Sequence, residues 1–447
     1  MTRVALLTLA FMAVIAVACG KATLEGSLRD AGSQKGKIWA LLVAGSKGWL
    51  NYRHQADICH AYHVLHNHGI PDEQIVVMMY DDIAYNENNN YPGIIINAPN
   101  GPNVYLKVPK DYTGDDVTPQ NFLHVLQGRA DLVKHTKGSH KVINSGPDDN
   151  IFVYFADHGG HGLVGFPNDM LYAKDLNDTI FDLHRQKRYS KLVLYVEACD
   201  AGSMFEGILS PDINVYATTA ANNHESAYAC YWDEALWAFL GDCYSINWME
   251  DSDKEDLHKE TLEKQFRIVK NETKKSHVCE YGDLQLAKSK VSEFQGEKSA
   301  EPIVAPKFPF DEVDSREVAL VTLRKKLAAA APEERESIAK QIEDILSKRS
   351  FVDMTVEELA KEATFGENIR LRHVLKSRFP LRSDADHLCY KASVRHFEEH
   401  CFDLSDNPYA LAKLGLLSNL CALGHTPASI RAAIEAVCTH DSIVGAL

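Results

Sequence analysis

Basic charge is scarce in this 447-residue sequence: 47 lysines and arginines stand against 62 aspartates and glutamates, a formal net charge of -15. A nucleic-acid-binding chain needs a basic surface to displace phosphate counterions, so that class of partner is excluded. Long apolar runs are scarce too. The one of note, VALLTLAFMAVIAVA at positions 4–18, is shorter than the ~20 residues a membrane-spanning helix needs. There is no internal repeat and no low-complexity majority, which leaves an ordinary globular composition. At this length two or three domains are expected.

The apolar run follows Met1-Thr2-Arg3 and ends in Ala16-Val17-Ala18. A charged start, a short apolar centre and an A-x-A exit read as a secretory signal peptide over residues 1–18, with a short N-terminal propeptide over 19–35. The mature chain is then expected to be soluble, lumenal or secreted, without a membrane span. Such compartments permit disulfides. Of ten cysteines, Cys389, Cys401, Cys421 and Cys438 cluster near the C-terminus. They read as two staples, and spacing alone allows three connectivities. NDT at Asn177 and NET at Asn271 are glycosylation acceptors expected on the surface.

The first half alternates apolar runs with helical patterns. IWALLVA (38–44), QIVVMMY (74–80), NIFVYFA (150–156), LVLYVE (192–197) and INVYATT (213–219) read as parallel strands buried on both faces. In RHQADICHAYHVLHNHG, the residues Ile58, Ala61, Tyr62 and Leu65 share a helix face, and Gly69 and Pro71 stop it. Five histidines on that helix, His54, His60, His63, His66 and His68, read as a solvated face. Positions 81–118 form a long polar connection expected to wall an active site. Strand–helix alternation predicts a three-layer α/β/α domain over residues 36–286. Residues 287–317 read as a linker with an activation role, and 318–447 as an all-α domain. In the latter, Leu320, Leu323, Leu327, Ile338, Ile342 and Ile345 suggest one long amphipathic helix.

Ligands of open α/β sheets bind beyond the carboxyl ends of the strands. Asn51 and Arg53 follow the first strand, His158 follows the third in ADHGGHG, and Cys199 follows the fourth in EACDAGS. A thiol and an imidazole on one rim make a nucleophile and its acid–base partner. Nearby glycines let backbone N–H groups approach a substrate as an oxyanion site demands. HGGH lacks the carboxylate that a helical metalloprotease motif supplies, so no metal is expected there.

His-Gly after one strand and Glu-Ala-Cys after the next resembles the caspase-like cysteine peptidases. Within them, AGSKGWLNYRHQADICHAYHVL, GIPDEQIVVMMYDDIA, VPKDYTGDDVTPQNFL, VYATTAANNHESAYACY and GDCYSINWMEDSD are similar to the legumain, or asparaginyl endopeptidase, family over essentially the whole chain. The resemblance implies a caspase-like three-layer α/β/α peptidase domain followed by an all-α C-terminal prodomain. It makes Cys199 the nucleophile, His158 the general acid–base, Asn51 the orienting group, and Gly159 with Cys199 the oxyanion donors. Arg53, His54, Glu197, Ser226 and Asp242 map onto the specificity pocket. A cation would read the carbonyl oxygen of an asparagine side chain and a carboxylate its N–H, so both ends of the amide are matched. The implied pairing is Cys389–Cys421 and Cys401–Cys438. The implied function is a zymogen, activated at low pH, of an endopeptidase cutting after Asn and, in acid, after Asp. Peptide ligation by the same acyl-enzyme and a glycan-anchor transamidase-like subunit are the alternatives. No metal and no cofactor are implied. Expected partners are protein and peptide substrates, the chain's own prodomain as inhibitor, and cystatin-type inhibitors. The expected location is the secretory pathway, ending in a lysosome, an acidic vacuole or the exterior.

The chain departs from the family in three places. Ala227 replaces a pocket serine, Cys243 and Cys279 offer an additional disulfide, and LQGRADLV carries no Arg-Gly-Asp. KKLAAAAPEERES, where relatives are commonly cut, holds no Asn or Asp. Self-cleavage is therefore expected at Asp311 or Asp314, then Asp344 or Asp353. Arg370, Arg372, Lys376 and Arg378 are expected to dock the prodomain onto carboxylates around the cleft.

Overall fold

The computed structural model describes residues 36–300, 311–377, 379–441 and 443–447. The expected signal peptide and N-terminal propeptide, like Arg378, lie outside the described residues. The strands are β1 (Ile38–Ala44), β2 (Ile75–Met78), β3 (Asn150–Ala156), β4 (Gly159–Gly160), β5 (Leu163–Phe166), β6 (Asp169–Tyr172), β7 (Lys191–Glu197), β8 (Val215–Thr219), β9 (Tyr228–Asp233), β10 (Ala238–Asp242), β11 (Cys279–Gly282) and β12 (Val313–Asp314). The helices of the first half are α1 (Tyr52–Asn67), α2 (Pro119–Leu126), α3 (Ala173–Arg185), α4 (Cys243–Lys254), α5 (Leu262–Glu272) and α6 (Ser292–Gln295). Those of the second half are α7 (Val318–Ala329), α8 (Pro332–Ala363), α9 (Asn368–Lys376), α10 (Asp384–His400), α11 (Pro408–Leu411), α12 (Gly415–Ala422) and α13 (Pro427–Val437).

The five runs read as strands and one further strand, β11, form the six-stranded central sheet, in the order β11-β8-β7-β3-β1-β2, parallel except for β11. Their continuous hydrophobicity follows from burial on both faces. Ala40, Leu42 and Ala44 of β1 join α1, α4 and α5 on one side, while Trp39, Leu41 and Val43 join α2 and α3 on the other. Two three-stranded sheets, β10-β9-β12 and β4-β5-β6, flank the rim where the chemistry lies.

Several local expectations change. His54, His60 and His68 are buried, not a solvated face, because α1 is enclosed nearly all round by β1, β10, α4 and the long connection. That connection packs on α1 rather than walling the cleft: Asn97 bonds Asp57 Oδ1 and the Leu240 carbonyl, and Tyr52 bonds Ile96. The linker starts later than residue 287, since Phe294 of α6 is fully buried and Glu293 bonds Asn150 and Lys191 of the sheet. Pro332 splits the expected long helix in two, since its ring favours a helix start over an interior. Asp311 and Asp314 are ordered as well. The first accepts the Tyr231 and Trp232 N–H groups, and the second pairs with Tyr228 in β12–β9. Residues 301–310, EPIVAPKFPF, contain neither Asn nor Asp, so a cut at either aspartate requires β12 to leave β9.

The C-terminal helices share one core of Val352, Leu359, Val394, Phe397, Leu420 and Ile434, stapled by Cys389–Cys421 and Cys401–Cys438. Cys243 pairs with Cys230 and not with Cys279, which stays a free thiol on the sheet edge. Asn177 is also not where a glycan acceptor belongs. It is buried in α3, its Nδ2 donating to the Ala173 and Met204 carbonyls at 2.8 Å. Asn271 is exposed. Glycopeptide mapping of the chain expressed through a glycosylating secretory host should find Asn177 bare whatever the state of Asn271; a glycan on Asn177 would contradict this packing.

Candidate active site

β3 and β7 are parallel neighbours with Ala156 opposite Glu197. His158 and Cys199 each stand two residues further on, so register alone brings imidazole and thiol to one rim. After Cys199 the chain turns sharply: Asp200 is left-handed at φ 54 and starts a 3-10 turn over Ala201–Met204. The Cys199 Sγ accepts the Ala227 N–H at 3.3 Å. Gly159 lies flat on this turn, and a Cβ there would strike the Cys199 carbonyl. Only glycine permits that approach.

Asn51 ends a 3-10 turn just before α1. Its Nδ2 donates to the Lys47 carbonyl at 2.9 Å, which turns Oδ1 toward Nε2 of His158 at 2.8 Å. Nε2 therefore carries the ring proton, and Nδ1 is left as the base. His54 stands edge-on to His158 with ring centroids 5.2 Å apart and holds Ser46 Oγ at 2.6 Å. Among the described residues, His54, Asp157 and His158 also bring one ligand-type atom each within 4.8 Å of one another. His54 Nδ1 is engaged with Ser46 and His158 Nε2 with Asn51, an arrangement that suits acid–base work by the remaining His158 Nδ1.

Beside this pair lies a buried ionic cluster. Arg53 Nε donates to Asp242 Oδ1 at 2.8 Å and Nη1 to the Leu50 carbonyl at 3.1 Å. Glu197 Oε2 accepts from Ser245 N at 3.0 Å and Oγ at 2.8 Å. Among the described residues, Arg53 Nη2, Glu197 Oε1 and Asp242 Oδ2 make no hydrogen bond of ordinary geometry, Asp242 Oδ2 having only His54 Nε2 at 3.5 Å and the facing Ser315 hydroxyl near it. One donor and two acceptors left unpaired in a dry place are costly unless a ligand satisfies them. Sequence reasoning missed the support behind them. Asp57 Oδ2 accepts the Asp242 N–H at 3.2 Å, Asn97 bridges Asp57 to His60, and His60 reaches Asp253 at 3.0 Å. The available signal was spacing, since Asp57 is four residues after Arg53 and shares its helix face.

Electrostatics match a latent enzyme. Burial pushes the Cys199 thiol up to about 11, with the nearby Arg316 opposing. Burial, Arg53 and Arg316 push His158 down to about 3. Thiol and imidazole are thus both neutral, and no thiolate is ready to attack. Burial and like-charge repulsion raise Asp57 and Glu197; burial raises Asp242, with Arg53 opposing.

The C-terminal half causes much of this burial. β12 runs antiparallel to β9. Beyond it Ser315 N donates to the Ala227 carbonyl at 3.0 Å, and the Ser315 hydroxyl faces Asp242. Arg316 then enters the cleft, donating to Ser226 Oγ at 3.1 Å and Asp200 Oδ2 at 2.9 Å. Arg349 holds this segment from behind through Glu317 and the Arg316 carbonyl. Tyr390 bonds the His161 carbonyl, Lys391 pairs with Asp175 at 2.5 Å, and Lys174 with Asp384 at 3.2 Å. The expected docking by Arg370, Arg372 and Lys376 is not seen: Arg370 pairs with Glu367 of its own domain, and the other two are exposed. Cavities of about 30 and 40 Å³ remain around Asn51 and His158, room for water but not for a peptide.

The Peptidase C13 family profile matches residues 38–297, and the legumain prodomain profile matches 340–438. The chain belongs to the C13 family. Human legumain is 49% identical over 90% of this chain and 93% of its own length. The vacuolar-processing enzyme delta-isozyme of Arabidopsis thaliana is 41% identical over 91% of each chain. Legumain of Canavalia ensiformis is 40% identical over 90% of this chain and 89% of its own. As a C13 peptidase followed by a legumain prodomain, the chain is a cysteine endopeptidase whose prodomain lies across its own cleft.

Asp157 offers a test of the electrostatics. Burial holds its carboxyl up at about 8, against ~3.9 in an unfolded chain. Between those values the folded chain binds the extra proton, so this group's contribution to stability falls as pH rises from about 4 to 8. Melting scans across that window should show a shallower decline for Asp157→Asn than for the parent; equal slopes would refute the assignment. Iodoacetamide should also label Cys199 far more slowly in the zymogen than after removal of residues 311–447, as mass spectrometry of the Cys199 peptide can measure.

Proposed function

We propose that this C13 peptidase cuts proteins on the carboxyl side of Asn, extends to Asp in acid, and is made as a zymogen that acid activates. The observation that carries this reading is the unpaired trio of Arg53 Nη2, Glu197 Oε1 and Asp242 Oδ2. An asparagine side chain offers the complementary set: one carbonyl oxygen for the guanidinium and two N–H groups for the carboxylates. Lysine or arginine would leave the Arg53 donor unpaired and add like charge to it. An apolar side chain would leave all three atoms unpaired, the kind of mismatch that gives strong discrimination.

In the freed enzyme, the His158 Nδ1 takes the Cys199 proton as sulfur attacks the carbonyl carbon. The N–H groups of Gly159 and Cys199 hold the oxyanion. His158 then protonates the departing amine, and water, deprotonated by His158, resolves the thioester. Asn51 keeps the ring in the tautomer that makes Nδ1 the base. Double substitution at Cys199 and His158 should cost little more than either alone, because the two act as one unit.

Ionised aspartate would meet Glu197 and Asp242 with like charge, whereas protonated aspartate mimics asparagine. Free aspartate titrates near ~3.9, so cleavage after Asp should rise below about pH 5 while cleavage after Asn continues above it. Mapping cuts in Asn-, Asp- and Arg-containing peptides from pH 4 to 7 tests this, and a constant Asn/Asp ratio would defeat it. The cap is held in part by carboxylate pairs, Asp200 with Arg316 and Asp175 with Lys391, the kind of contact that falling pH weakens. Acidified zymogen should therefore shed its cap and show new C-termini at Asp311 or Asp314. Equally fast processing of Cys199→Ala would assign the cut to another protease.

A further inference from the structure

α10 and α13 pack against each other near the end closed by the Cys401–Cys438 disulfide. Two histidines of α10 and a carboxylate of α13 meet there, away from the cleft. His396 and His400 are four residues apart, so they share a helix face one turn apart, and their ring centroids are 3.9 Å apart. His400 commits Nδ1 to the His396 carbonyl at 3.0 Å, which leaves its Nε2 available. His396 Nε2 is buried and 3.1 Å from Glu435 Oε1, yet it makes no hydrogen bond. Across all three residues, one ligand-type atom from each lies within 4.8 Å of the others.

That combination is unusual for an ion pair and ordinary for co-ligands. Two atoms bound to one zinc at about 2.0–2.1 Å stand roughly 3.0–3.4 Å apart, and both point at the metal rather than at each other. A close pair of imidazoles accommodates a cation that both nitrogens can bind.

We propose that His396, His400 and Glu435 form a binding site for a divalent transition-metal ion of the zinc type, with solvent completing the shell. Two imidazoles and one carboxylate favour zinc, copper, nickel or cobalt over calcium and magnesium, which take oxygen donors. The ion would tie α10 to α13. Because α10 also carries Tyr390 and Lys391, which touch the peptidase half, the site belongs to the cap that keeps the enzyme latent.

The test is calorimetric titration of zinc chloride into untagged, chelator-treated, full-length Cys199→Ala zymogen at neutral pH, the substitution removing the catalytic thiol as a competing ligand. One zinc per chain is expected, with a zinc-dependent rise in melting temperature. Glu435→Gln and His400→Ala should each weaken binding by about tenfold or more. His277→Ala, which disrupts the exposed His277–Glu225 pair of the peptidase half, should leave it unchanged. Cobalt in place of zinc should give visible absorption that Glu435→Gln abolishes. If His400→Ala lowers the metal-free melting temperature, Glu435→Gln alone decides. Absence of binding at millimolar zinc, or binding unchanged in Glu435→Gln, would overturn the proposal.

Discussion

The buried pair of Arg53 and Asp242 joins the first turn of α1 to the end of β10 across 189 residues of sequence. Both side chains are 1% exposed, so each charge depends on the other. Deleting one partner of such a pair costs about 3–5 kcal/mol, because the survivor is stranded in a dry place. The pair fixes where α1 begins, and thereby where Asn51 stands against His158. It also holds a carboxylate and a guanidinium side by side with one free valence each. Asp57 adds rigidity from behind by accepting the Asp242 N–H. The candidate pocket and the candidate catalytic pair thus share one foundation.

Latency follows from covering that foundation with the chain's own linker. Ser315 faces Asp242, and Arg316 enters the cleft beside Cys199. The Ser315 hydroxyl reaches Asp242 only, and the segment fills the cleft without an amide side chain. The cap also excludes water, which keeps both the thiol and the imidazole uncharged. Removing it would change the solvation of the catalytic pair as well as opening the path for substrate.

The cap is anchored by contacts of two kinds. Leu163, Met170 and Tyr172 of the peptidase half enter the hydrophobic core of the C-terminal helices. That burial is insensitive to pH. Around it lie ion pairs across the two halves, Lys391 with Asp175, Arg316 with Asp200 and Lys174 with Asp384. The two disulfides staple the C-terminal helices to one another independently of these contacts.

Much of the fold was legible in the sequence because strands buried on both faces write themselves as unbroken apolar runs, and all five such runs became central strands. Cys199, His158 and Asn51 were legible because an open sheet exposes the residues just past its strand ends. Other features were hidden by a shared cause: one sequence pattern serves two environments. The histidines of α1 look like a polar face, yet neighbouring elements enclose them, and nothing in the local text distinguishes His60 from His66. Asn177 carries an acceptor motif, but its burial depends on how α3 sits over the turn at Met204. Asp311 and Asp314 lie in text that reads as irregular, and order comes from β9, some 80 residues away. By itself, then, the sequence determined what propagates along the chain: strands, helix starts, and the residues that follow each strand. Only the tertiary structure decided which polar atoms would be left unpaired, which cysteines would meet, and which segment would fill the cleft, because each depends on contacts between residues far apart in sequence.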